Sequence, residues 1–325
     1  MKMADSCRRA VGVDFGGTGV KMAVVDDQGT ILSRGGFATA DASSQKDWLH
    51  AVEQELHKIT AAAGLTLNDL DGVGVGVPGF VDFARGYVHN LANVPGWTGV
   101  YLKEMLRQQL RLPAVIDNDV NAMALGESKF GAGRNYDHVV FVTLGTGVGG
   151  GILIHGKIYR GAYSTAGEIG HMSIDMNGIK SPEGSGGLEQ YVGNRRIVER
   201  AVRLIGEGRP TGILELAGGR TDNITPKIIA EAAHAGDPLA LEIFDFVADC
   251  LAAAFASITY LIQPEVFILG GGVAQSGRVL FDPLMRHLTG RLSPFIAEHV
   301  SVIPAELGSD AGVIGAAGLL WTPEA

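Results

Sequence analysis

Two segments of the chain, GVDFGGTGVKMAVVDDQG from Gly12 and FVTLGTGVGGGILIHGKI from Phe141, run through the same order of strand, glycine turn and strand. A repeat of this kind constrains the fold more than any other feature. Each half must open with a tight hairpin, and a structural duplication follows, with two similar domains facing a cleft. The 325 residues suit two domains, at about 100–200 residues each. The expected division is 1–121 for an N-terminal domain and 122–310 for a larger C-terminal one, with a last helix over 311–325 packing back on the first.

Around the two turns the pattern is that of an α/β chain. Strands are expected at Ala10–Val13, Val20–Val25 and Ile31–Phe37, then a helix at Lys46–Ala63 and a strand at Val73–Val77. Thr98 is read as the cap of a helix running to about Leu110, and Ala114–Ile116 as a strand leading into a helix from about Asp119. The second half repeats the opening with His138–Leu144, Gly151–Ile154 and Lys157–Tyr159. Helices follow at Asn194–Ile205, Thr225–Ala235 and Pro238–Ile262, then the strand Val266–Leu269, a helix over Arg278–Leu292, the strand Val300–Ile303 and a helix from Ala311. Mixed sheets covered by helices are the expected architecture.

Composition excludes several classes of function. The net charge of −9 argues against a nucleic-acid backbone as partner, because that needs a clustered excess of Lys and Arg. No signal peptide is read at the N-terminus, and no apolar run reaches the roughly 18 residues of a membrane span. Only Cys7 and Cys250 are present, too few for a disulfide framework or a cysteine metal cluster. The expected compartment is the cytoplasm. The 47 glycines concentrate in short motifs, which points to backbone approaching a ligand closely.

In DFGGTGVK, Asp14 to Lys21, backbone N–H groups of the turn and the Thr18 hydroxyl can face phosphate oxygens, and Asp14 can hold a divalent cation through water. A plain hairpin turn is the alternative. TLGTGVGGG, Thr143 to Gly151, repeats the device, and two such turns make a phosphate clamp. IDNDVNA, Ile116 to Ala122, places Asn118 and Asp119 where a strand passes into a helix: either a simple N-cap, or an amide beside a carboxylate base. AGEIGH, Ala166 to His171, with Glu189 further on, brings two carboxylates and an imidazole into loop-like surroundings. A carboxylate accepts two hydroxyl hydrogen bonds, so the set suits a polyhydroxylated ligand, although surface loops also collect such residues. ILGGGVAQSG, Ile268 to Gly277, reads either as close approach to a nucleoside or as tight strand-to-helix packing. Trp48, Trp97 and Trp321 are scattered, and no stacking box can be read from them.

Taken in order, these motifs resemble the ROK family (repressors, open reading frames and sugar kinases) of the actin-like ATPase superfamily. VGVPGFVD, Val75 to Asp82, and NVPGW, Asn93 to Trp97, add to the likeness, which covers nearly the whole chain. It is most specific from Leu144 to His171. The resemblance implies two actin-like (ribonuclease H-like) α/β domains around a cleft, and transfer of a phosphoryl group from ATP to a hexose, glucose before an N-acetylhexosamine or fructose. It implies Asp119 as general base, with Gly79, Asn118, Glu168, His171 and Glu189 at the sugar. It assigns Asp14, Gly16, Gly17, Thr18, Lys21, Thr146 and Gly147 to the phosphates and Mg²⁺, with Asp14 holding the ion through water, and Gly271 and Gly272 to the adenosine side. Polyphosphate as the donor stays open. A homodimer or homotetramer is the expected assembly.

Many family members carry C-x-C-G-x-x-G-C-x-E after the His and bind a structural zinc there. Here the stretch is KSPEGSGGLE, so Lys180, Pro182 and Gly187 stand at the thiolate positions and no zinc site is expected. The family also contains repressors with a helix-turn-helix domain ahead of the kinase-like part, and with nine residues before the first strand no such domain is expected here. A non-catalytic sugar-binding regulator is the remaining class, against which the presence of Asp14, Asp119 and both glycine turns weighs.

Overall fold

The computed structural model of the chain describes residues 7–42, 44–91, 94 and 96–322. The first half runs β1 (Arg9–Phe15), β2 (Gly19–Asp26), β3 (Ile31–Ala38), α1 (Gln45–Ala62), β4 (Val73–Val77), β5 (Gly79–Asp82), β6 (Tyr87–Leu91), β7 (Thr98–Val100), α2 (Leu102–Leu110), β8 (Ala114–Asn118) and α3 (Asp119–Phe130). The chain continues through β9 (Val139–Leu144), β10 (Val148–Ile154), β11 (Lys157–Ile158), the two-residue strands β12 (Lys180–Ser181) and β13 (Gly184–Ser185), and the helices α4 (Glu189–Val192), α5 (Asn194–Gly206), α6 (Ile213–Leu216), α7 (Pro226–His234) and α8 (Pro238–Ile262). It closes with β14 (Val266–Gly270), α9 (Arg278–Thr289), α10 (Pro294–Ala297), β15 (Ser301–Pro304) and α11 (Ala311–Gly318).

The duplication read from the glycine turns is written in the sheets. One sheet has the strand order β3-β2-β1-β4-β8 and the other β11-β10-β9-β14-β15. In the first, β2 pairs antiparallel with β1 and β3, while β4 pairs parallel with β1 and β8. In the second, β11 is antiparallel to β10, and β14 is parallel to β9 and β15. The strands occupy equivalent places in both sheets. Contacts divide the chain into two units, one of Met1–Asp137, Gly151–Ala166 and Glu306–Ala325, the other of His138–Gly150 and Gly167–Ala305.

Alternation along β1 sends Val11, Val13 and Phe15 into a core with α1 and α2, while Ala10 packs with Val313, Ile314 and Ala317 of α11. Helix α11 lies so close to the sheet that a Cβ on Gly12 would sit 1.8 Å from the Val313 carbonyl oxygen. That strand is therefore covered on both faces, and buried apolar residues dominate it.

Two expectations need correction. Thr98 does not cap a helix: it pairs with Asn90 in β7 of a three-stranded sheet ordered β5-β6-β7, and α2 starts after Tyr101. These short strands lack the run of alternating residues that reveals longer ones. Trp48 and Trp97 are not scattered either. With Phe15 they form a buried aromatic cluster, its ring centroids 4.8–5.3 Å apart. Asn93 and Pro95 of the N-V-P-G-W motif lie outside the described residues, as do 323–325 of the expected last helix.

Candidate functional site

In the first unit the site is built on the corner where β8 becomes α3. Asn118 is the N-cap of α3, its side-chain oxygen accepting from the N–H groups of Val120 at 2.8 Å and Asn121 at 3.2 Å. Its amide nitrogen donates to the Gly79 carbonyl at 3.2 Å. Its second amide hydrogen takes no part in these bonds, so Asn118 is both a cap and a donor. Asp119 follows as the first helical residue, with Oδ1 accepting from the Val120 N–H at 2.9 Å. Gly79 has φ of 133°, and a Cβ there would lie 2.2 Å from the Asn90 carbonyl oxygen, so only glycine fits.

Behind this corner stands an ion pair that the sequence did not reveal. Asp117 is 2% exposed. Its Oδ1 accepts from the Asn118 N–H and the Asn121 amide, while its Oδ2 accepts Nε and Nη2 of Arg160 at 2.9 and 2.7 Å. The Arg160 guanidinium in turn lies 3.5 Å above the Phe83 ring. Burial pushes the Asp117 carboxyl up from the usual range, and Arg160 and the amide donors oppose that. Every partner is a donor, so the arrangement suits a carboxylate. An acid directly after the apolar run Ala114–Ile116, inside strand β8, was the available signal. Glu127, also missed, is wholly buried further along α3 and accepts from the N–H groups of Ala132, Glu306 and Leu307.

The first glycine turn joins β1 to β2. The Gly16 N–H donates to the Gly19 carbonyl at 3.0 Å, and the buried Thr39 hydroxyl donates to the Gly16 carbonyl at 2.7 Å. Gly17 and Thr18 are exposed at the tip, and Gly17 has open space where a side chain would be. Asp14 and Lys21 face each other across the hairpin. Burial pushes the Asp14 carboxyl up from its ordinary value, Lys21 opposing. Gly312, in the first turn of α11, leaves room for this carboxyl: a Cβ there would come within 2.8 Å of it.

The second unit holds the equivalent turn, Gly145-Thr146-Gly147, between β9 and β10. The Gly145 N–H donates to the Gly147 carbonyl at 3.0 Å, and Thr146 is exposed. Here a carboxylate from a distant segment stands behind the turn. Glu189 Oε2 accepts from the Val148 N–H at 2.9 Å, and a Cβ on Gly147 would lie 2.4 Å from that oxygen. Glu168 and His171 are neighbours with 3.8 Å between carboxylate and imidazole, and both are partly open to solvent. Burial pushes the Glu168 carboxyl up, the charge of Glu189 adding to this and His171 opposing it. Gly271 has φ of 85° and packs on the end of β9, where a Cβ would lie 2.2 Å from the Leu144 carbonyl oxygen, while Gly272 has open space beside it.

The expected residues thus gather in two groups. Asp14, Gly16, Gly17, Thr18, Lys21, Gly79, Asn118 and Asp119 belong to the first unit, and Thr146, Gly147, Glu168, His171, Glu189, Gly271 and Gly272 to the second. Among the described residues no three or more His, Cys, Asp or Glu come together as a group able to hold a metal ion, and no helix is long and apolar enough to cross a membrane. Lys180, Pro182 and Gly187 supply no thiolate for a structural zinc, whereas a magnesium ion, which keeps most of its waters, would need only one carboxylate such as Asp14 beside substrate phosphates.

The model of the ROK family matches residues 10–322. The chain belongs to the ROK family. Among its ROK relatives is the glucokinase of Thermotoga maritima, 31% identical over 312 residues, covering 96% of this chain and 97% of that protein. The glucokinase of Streptomyces coelicolor is 35% identical over 321 residues, 97% of this chain and 98% of that one. The crystal structure of a ROK family glucokinase from Streptomyces griseus in complex with glucose and AMPPNP is similar with a TM-score of 0.78 and 36% identity, covering 96% of this chain and 98% of that chain. The actin-like fold of the ROK kinases is thus the fold of this chain, built from mixed sheets flanked by helices.

Proposed function

We propose that the chain transfers the γ-phosphoryl group of ATP to the 6-hydroxyl of glucose, giving glucose 6-phosphate and ADP. The observation that carries this reading is the β8–α3 corner, where Asn118 and Asp119 present one amide donor and one carboxylate side by side on a buried support. Near-full-length likeness to glucokinases, one of which binds glucose and an ATP analogue, supports it.

In this mechanism Asp119 accepts the proton of the attacking hydroxyl as its oxygen bonds to phosphorus and the bond to the ADP oxygen breaks. The Val120 N–H on Asp119 Oδ1 fixes the direction of that carboxylate. Asn118 donates its remaining amide hydrogen to the sugar, and Gly79 holds the amide in place. The backbone turns at Gly16–Thr18 and Gly145–Gly147 offer N–H groups to the phosphates, with Lys21 adding charge, and Gly271 and Gly272 admit the adenosine. Magnesium, held by Asp14 through water, would neutralise phosphate charge. The compartment implied by ATP use is the cytoplasm, and a homodimer or homotetramer is the assembly proposed by family likeness.

Glucose is favoured over N-acetyl sugars because Glu168, Glu189 and His171 supply acceptors for ring hydroxyls, whereas an acetamide carbonyl needs a donor. The experiment is kcat/KM for glucose, N-acetylglucosamine, N-acetylmannosamine, fructose and mannose at saturating MgATP. Glucose should rank first. An N-acetyl sugar ranking first would replace the glucose assignment, and no turnover with any of them would sink the kinase reading.

A further inference from the structure

Between His171 and Glu189 the chain makes an irregular excursion containing only the paired two-residue strands β12 and β13. Such a segment must be tied down if the residues at its two ends are to keep a fixed spacing. No disulfide is available, since both cysteines are free and lie elsewhere in the sequence, and no metal-holding group is found among the described residues. Two backbone hydrogen bonds and one side-chain bond close its base: Leu188 N–H to the Met172 carbonyl at 3.0 Å, Ile174 N–H to the Gly186 carbonyl at 2.9 Å, and the Ser173 hydroxyl to the Ser185 carbonyl at 2.8 Å.

The outer turn, Asp175 to Ile179, is closed by the Gly178 N–H on the Asp175 carbonyl and the Asn177 N–H on Asp175 Oδ1. It is tied to the base by the Ser173 hydroxyl on the Asp175 carbonyl and the Gly186 N–H on the Ile179 carbonyl, and Tyr191 is the side chain that reaches it from outside the segment. The Tyr191 hydroxyl accepts from the Ile179 N–H at 3.1 Å and donates toward Asp175 Oδ2 at 3.4 Å. Gly178 closes over this hydroxyl so tightly that a Cβ there would lie 2.0 Å from its oxygen. Tyr191 sits on the four-residue helix α4, two positions after Glu189, and its ring meets Phe246 of α8, whose ring is covered by the Arg200 guanidinium at 3.5 Å. The phenol therefore runs from a packed base to the outer turn, on the same short helix as a residue of the acceptor site.

We infer that Tyr191 is a positioning residue: its hydroxyl pins the Asp175–Ile179 turn and thereby sets His171 and Glu189 at the spacing that the acceptor sugar requires. The inference rests on the kinase reading for its functional half alone. A net hydrogen bond is worth about 0.5–1.5 kcal/mol, which is about twofold to tenfold in an equilibrium constant.

The test uses the full chain carrying Tyr191→Phe, which keeps the ring and its packing. Hydrogen exchange of the amides in 173–187 should quicken about threefold to tenfold, KM for glucose should rise by a similar factor, and kcat should stay within about twofold. Chelation of the wild-type protein with EDTA should leave that exchange unchanged. Gly178→Ala, which pushes a methyl onto the hydroxyl, should act in the same direction, and the double variant should fall short of the product of the two effects. Unchanged exchange in Tyr191→Phe, or faster exchange on chelation, overturns the pin. Faster exchange with an unchanged KM for glucose overturns its positioning role. If the wild-type protein phosphorylates no hexose, the kinase reading fails, and the exchange arm still decides whether Tyr191 holds the segment.

Discussion

The two glycine turns occupy equivalent places in two sheets of the same strand order, yet what stands behind them differs. The turn at Gly16–Thr18 is backed by residues of its own hairpin, Asp14 and Lys21, and its tip at Gly17 is open. The turn at Gly145–Gly147 is backed by Glu189, 41 residues beyond the Val148 N–H that it accepts. The first turn draws its carboxylate from its own hairpin, with the Thr39 hydroxyl just beyond β3 bonding the Gly16 carbonyl. The second shares a carboxylate with the proposed acceptor site, so a change in one is felt in the other. The same contrast runs through the supports: the first unit fixes its corner with a buried ion pair, Asp117–Arg160, and the second holds its proposed acceptor segment with hydrogen bonds and, among the described residues, no ion pair of that kind, the Tyr191 hydroxyl bonding the Ile179 N–H and the Asp175 carboxylate.

The largest expected effect comes from breaking the ion pair. Arg160→Met should destabilise the protein by about 3–5 kcal/mol, because Asp117 is left buried without its charge partner. Denaturant unfolding measures this. A loss below about 1 kcal/mol would place the two supports on equal footing and remove the contrast.

The next effect separates the turns themselves. Gly147→Ala forces a methyl against Glu189 Oε2 and should cost about 1–3 kcal/mol, with KM for glucose and for ATP both rising. Gly17→Ala meets open space and should stay within about 0.5 kcal/mol in stability. Equal effects at the two positions would show that Glu189 does not stand behind the second turn.

The smallest effect is the pH dependence set by Glu168. Its folded pKa is raised, so the stability it contributes is fully present below its unfolded pKa and is lost as pH rises through the folded value. Acceptor binding runs the other way, since the carboxylate is the form that takes two hydroxyl bonds. The acid limb of kcat/KM for glucose should therefore lie above the ordinary glutamate value of 4.5, and Glu168→Gln should remove that limb while lowering activity. A limb unmoved in Glu168→Gln assigns it to another group.

Much of this was legible along the chain and some was not, for physical reasons. The glycine turns and the long strands announce themselves because their signals are local: a tight turn needs adjacent glycines, and a buried strand needs a short apolar run. The order of the second sheet follows from the first once the turns are matched. Strands β5 to β7 were missed because exposed residues such as Phe80, His89, Asn90, Thr98 and Gly99 interrupt them, whereas the equally short β4 is apolar and buried throughout. Arg160 was missed because its partner lies 43 residues away in sequence. Trp48 and Trp97 look unrelated for the same reason, although they share one core. Asn118 was read as either a cap or a ligand, and its two ends allow it to be both.

The central claim is that Asp119 is the base of a hexose kinase. It is tested most directly by comparing wild type with Asp119→Asn for ADP formation at saturating glucose and MgATP, together with glucose affinity by calorimetry. The account predicts a fall in kcat of about 10²–10⁴-fold with glucose affinity within about threefold. A variant that keeps more than about a tenth of wild-type kcat would contradict it, because a positioned base contributes at least about a hundredfold.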